Sequence, residues 1–136
     1  MSETSLNTPR KILAFAAVVE VGTGLLLLID PALVVKLLLG TDVSGVGILL
    51  SRCFGIALLA LGMACWPSRQ RSESGLPALR AMLTYNLLIA LYLTYLGTAW
   101  HLKGLLLWPG VVLHAAVALL LVWTWRNERQ TRAANK

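Results

Sequence analysis

The stretch Val46–Trp66, VGILLSRCFGIALLALGMACW, constrains the fold more than any other part of the chain. It is almost wholly apolar and carries one charge, Arg52. About 20 helical residues at ~1.5 Å each cross a ~30 Å hydrocarbon core, so this segment is predicted to be a membrane-spanning helix. An arginine near the centre of such a helix costs ~2.5–3.5 kcal/mol on the insertion scale. The Leu, Ile, Val and Phe residues of the segment return roughly 3–5 kcal/mol on the same scale. Insertion is therefore favourable by little, and Arg52 calls for a partner. Glu20 is the acidic residue that lies inside another apolar run.

That run is Ile12–Ile29, the first predicted span. Residues 1–8 read as a polar tail. Thr8-Pro9 reads as a helix start, a hydroxyl cap followed by proline at the first helical position. The run is longer than a signal-peptide core and ends in Asp30-Pro31 with no small-residue cleavage site, so it is expected to be retained. Asp30-Pro31 repeats the cap-then-proline signal and opens Ala32–Leu39, which Gly40 closes. Eight residues are too few to cross a bilayer, so this segment is predicted to be a short interfacial helix with Lys36 at the headgroups. Further spans are expected at about 46–66, 81–100 and 105–125, separated by the polar stretch SRQRSESG and a turn at His101, Lys103 and Gly104. The result is one integral membrane domain over 1–136. Its expected fold is all-α, an up-down four-helix bundle with an interfacial helix between spans 1 and 2.

Composition agrees. Hydrophobic residues make up 57% and charged residues 13%, too few polar groups to cover a soluble domain, which carries about 25% charged residues. The net charge of +6 is not a nucleic-acid signature, because the basic residues flank apolar runs and form no stripe interleaved with stacking aromatics. They sort by side instead. Arg10, Lys11, Arg69, Arg71, Arg80, Arg126, Arg129, Arg132 and Lys136 fall on one side, and Lys36 and Lys103 on the other. With short loops, this bias predicts both termini in the cytoplasm. Trp66, Trp100, Trp108, Trp123 and Trp125 sit at predicted span ends, where an indole places its apolar body and its N–H together. Cys53 and Cys65 lie ~18 Å apart along one helix and cannot bridge each other.

Counted from the outer ends of their spans, Glu20 and Arg52 differ in depth by ~4–5 Å, which an arginine stem covers. His114 of the fourth span lies in the same layer. Tyr85, Tyr92 and Tyr95 share one side of the third span, and Tyr92 or Tyr95 falls at that depth. Asn86 is placed near the inner end of the same span. Glu20–Arg52 reads first as an interhelical lock, and Glu20, Arg52, Tyr92, Tyr95 and His114 are the alternative, a candidate ligand or proton site. No metal-ligand spacing, nucleophile motif or phosphate loop occurs in the sequence, so no metal, cofactor or catalytic residue is expected.

The strings GTGLLLLIDPALVVKLLLG, SRCFGIALLALGMACWP, MLTYNLLIALYLTYLG and LLWPGVVLHAAVALLL resemble a group of uncharacterised small four-span bacterial inner-membrane proteins, themselves loosely DoxX-like. The resemblance implies a four-helix membrane fold and a bacterial inner membrane. It implies no activity. Glu20-Val21-Gly22-Thr23 is similar to a fragment of the small multidrug-resistance transporters, although the strong Lys/Arg bias does not suit their antiparallel dimers. Two readings result. One is a non-enzymatic membrane component, alone, as a homo-oligomer or with a membrane-protein partner, in which the charged pair is a lock. The other is a small transporter or binder of an amphipathic molecule or a proton.

Overall fold

The computed structural model describes residues 3–67 and 75–134. The helices are α1 (Glu3–Ile29), α2 (Pro31–Leu39), α3 (Val46–Ala64), α4 (Gly75–Ala99) and α5 (Leu107–Ala134), and no strand occurs among the described residues. All but α2 contain a stretch long and apolar enough to cross a membrane: Arg10–Ile29, Val46–Ala64, Leu76–Ala99 and Leu107–Asn127. The protein is an all-α, multi-pass membrane bundle. Most of the polar stretch after the second span, residues 68–74, lies outside the described residues.

Three helices begin or end away from the sequence expectation. α1 starts at Glu3, not at Thr8-Pro9. A proline forfeits one ladder hydrogen bond and crowds the carbonyl four residues back, but it does not forbid helix on its N-terminal side. α4 starts at Gly75, ahead of the expected Ala81, with Pro77 where the missing N–H would have been an unpaired helix-end donor in any case. α5 takes Pro109 in the same way and continues through the charged segment to Ala134.

The short second helix forms as its caps predict. The Asp30 side chain accepts from the Leu33 N–H at 2.9 Å. At the other end Gly40 adopts φ 73° and its N–H donates to the Lys36 carbonyl. That left-handed conformation is one glycine enters without steric cost. The helix is tied to the α4–α5 turn, where the Leu106 N–H donates to the Leu37 carbonyl at 2.8 Å. Gly104 sits so close to Leu38 and Leu39 that a Cβ there would run into their backbone. Lys36 pairs with Asp42 at 3.2 Å on the exposed side.

The spans pack as two hairpins, α3 along α1 and α5 along α4. Glycine sets the first contact: a Cβ on Gly24 would lie 2.7 Å from the Gly55 carbonyl oxygen, and one on Gly62 would lie 2.8 Å from the Ala17 carbonyl oxygen. Small residues allow this approach, which matters in lipid because helix association there depends on van der Waals contact. The hairpins meet through α1. Leu13, Ala16 and Ala17 pack with Cys65, Leu79, Met82, Val117 and Leu121 in one buried cluster. α3 rests chiefly on α1 and α2, and its far side presents Leu49, Leu50, Phe54, Ile56 and Met63 outward. In water such a face would drive aggregation; in a bilayer it is the lipid surface.

Gly22 and Gly24 test this packing, since a Cβ on Gly22 meets no heavy atom within 4 Å. Gly24→Ala is expected to cost about 1–3 kcal/mol through overpacking. Gly22→Ala should cost nothing and gain up to about 1 kcal/mol of helix propensity. Melting temperatures of the two variants in detergent check the difference, and equal effects would disprove the α1–α3 contact.

Candidate functional site

A polar layer crosses the middle of the bundle where the hairpins meet. Along α1, Ala17, Val21 and Gly24 make the arc that touches α3, and Glu20 sits at the edge of that arc, facing the other hairpin. Its side chain is 1% exposed. The Tyr85 hydroxyl of α4 donates a hydrogen bond to the Glu20 carboxyl. The next residue, Asn86, is equally buried. Its Nδ2 donates to the Met82 carbonyl one turn back at 2.9 Å, so its Oδ1 is left to accept. His114 Nδ1 of α5 lies 2.8 Å from that Oδ1, which places the ring hydrogen on Nδ1. The Tyr85 ring meets the His114 ring edge to face, with centroids 5.9 Å apart and planes at 83°. Glu20, Tyr85, His114 and Asn86 thus join α1, α4 and α5 in one contact chain.

The structure brings together only part of the expected site. Glu20 and His114 belong to the layer. Arg52 does not: it is exposed on α3 and forms no ion pair with Glu20, the recorded pair among the described residues being Lys36–Asp42. Gly55, three residues on, is buried against α1, and a rotation of ~60° between the two positions carries the arginine off the contact. Tyr92 and Tyr95 are also absent from the layer, at 56% and 52% exposure. They stack on each other with centroids 6.4 Å apart, and the Tyr95 hydroxyl accepts from Trp100 Nε1 at 3.2 Å. Tyr85 and Tyr92 are seven residues apart and share a flank of α4. The bundle covers that flank at Tyr85 and leaves it open at Tyr92.

Tyr85 and Asn86 are the members that reading the sequence left out. The signal was present but measured from the wrong end. With α4 beginning at Gly75, both residues sit near mid-helix, and counting inward from Arg10 and Leu76 puts Glu20 and Tyr85 level.

Chemically the layer offers a carboxyl, a phenol and an imidazole in a row, with Tyr85 touching both Glu20 and His114. Such a set can hold two helix pairs in register, or bind a proton or a small polar group. Comparison with known protein families, characterised proteins and solved structures finds no match.

The geometry predicts which side chains are coupled. In double-mutant cycles of stability, Glu20→Gln with Arg52→Gln should be additive, with coupling near zero. Glu20→Ala with Tyr85→Phe should be coupled by about 0.6–1.7 kcal/mol, the range for hydrogen bonds between membrane helices. The opposite pattern would restore the Glu20–Arg52 pair.

Proposed function

We propose that the chain is a non-enzymatic component of a bacterial inner membrane, with both termini cytoplasmic, whose buried polar layer latches two helical hairpins together. One observation carries this reading: the Glu20 carboxyl takes its hydrogen bond from Tyr85 on the opposite hairpin. Membrane helices lack a hydrophobic drive to associate with one another, so a polar contact across the hairpin boundary fixes which faces meet. The orientation rests on charge. Arg10, Lys11, Arg80 and Arg126 lie at one end of the bundle, and Lys36 and Lys103 at the other. The likeness to small four-span inner-membrane proteins supports the habitat.

The presence of His114 beside Tyr85 favours a second reading, binding or transfer of a proton or small amphipathic molecule through the same layer. Glu20→Gln separates the two. Its amide oxygen still accepts from Tyr85 but cannot exchange a proton at physiological pH. For a latch, Glu20→Gln should keep most of the stability, while Glu20→Ala loses about 1–3 kcal/mol by leaving a buried donor unpaired. For a proton or ligand site, Glu20→Gln should abolish a pH-dependent response in proteoliposomes although the fold is intact. The topology is tested with periplasm-active reporters: fusions after residues 42 and 103 should be active, and those after 72 and 136 silent. Reversed activities would invert the orientation.

A further inference from the structure

We propose that the cleft between the start of the first span and the end of the second binds the phosphate headgroup of an anionic phospholipid. The cleft measures about 380 Å³ and is lined by Arg10, Lys11, Ala14, Trp66 and Pro67. Arg10 and Lys11 are exposed, and neither has an ion-pair partner among the described residues, the recorded pair lying at the opposite end of the bundle. Two adjacent cations line a concave surface at the level where the bilayer meets water. The planar guanidinium matches phosphate oxygens bidentately, and the ammonium adds a compact second charge. Across the cleft, Trp66 is half exposed and supplies an amphipathic indole suited to the glycerol region.

The surface running away from the cleft distinguishes a lipid from a soluble phosphate. Lys11, Ala14, Val18, Gly22 and Leu25 follow one another at helical spacing along one side of α1. Val18 and Leu25 are exposed, and the space over Gly22 is open. An apolar strip therefore leads from the two cations into the hydrocarbon region, and an acyl chain occupies it while its headgroup sits in the cleft. A soluble phosphate would use the cations alone. A zwitterionic headgroup would bring its own cation against Arg10 and Lys11, so a phosphodiester without a cationic substituent is the matching chemistry. Basic pockets beside membrane helices recognise lipid headgroups in this manner.

The test uses the full chain in neutral detergent, with melting temperature followed on titration of three probes. These are phosphatidylglycerol, phosphatidylcholine with the same acyl chains, and inorganic phosphate. Phosphatidylglycerol should raise the melting temperature saturably and the other two should not. The double variant Arg10→Gln with Lys11→Gln should weaken the apparent affinity roughly thirtyfold, from the attraction of two cations near a lipid surface. The charge-preserving exchange Arg10→Lys with Lys11→Arg, which also controls for folding, should retain it. Lys36→Gln with Lys103→Gln, at the other end, should leave it unchanged. An equal response to phosphatidylcholine or to inorganic phosphate would overturn the proposal. So would undiminished affinity in the Arg10/Lys11 variant, or an equal loss in the Lys36/Lys103 variant.

Discussion

In the middle of a bilayer a carboxyl group has no water to turn to, so whatever it bonds with must come from the protein. Glu20 meets that requirement with the Tyr85 hydroxyl, and much of the arrangement depends on the contact. It demands that α1, and not α3, be the helix of the first hairpin that faces the second. It places α4 where Tyr85 can reach and brings α5 along, because the His114 and Asn86 side chains are bonded to each other. The apolar cluster of Leu13, Ala16, Leu79, Met82, Val117 and Leu121 then closes one side of the layer with close-packed side chains. Dispersion holds that cluster together, and the hydrogen bonds decide which faces it is built from.

The positions of α3 and α2 follow from what α1 has left to offer. With one arc of α1 committed to the second hairpin, the arc of Ala17, Val21 and Gly24 remains, and Gly55 and Gly62 on α3 fit it. α2 is too short to span and is fixed at both ends, by its own caps and by the backbone bond from Leu106 to Leu37. That bond joins the turn ends of the two hairpins, as the Glu20–Tyr85 bond joins their middles.

The fold was legible in the sequence because its signals are local. Span length, the Asp30-Pro31 and Gly40 caps and the tryptophan positions each depend on a few neighbouring residues. The site was legible only by half. Glu20 and His114 stood out as polar residues in apolar runs, but choosing their partners needed rotation and depth together. Arg52 and Glu20 are complementary in charge, and their helices do touch, yet ~60° of rotation separates the arginine from the contact. Tyr92 and Tyr85 are nearly equivalent in rotation, and a start of α4 six residues earlier than expected chose Tyr85. Helix ends are the part of a sequence reading most open to error, and here a shift at one end exchanged one tyrosine for another.

The order of synthesis gives the Glu20–Tyr85 contact a further consequence. Glu20 belongs to the first span and its donor to the third, so the first hairpin enters the bilayer with its carboxyl unmatched. The glycine contact between α1 and α3 can form at once, since both partners are already made. The carboxyl has to wait for α4. The Glu20–Tyr85 contact therefore forms only once the second hairpin is made and lies against α1.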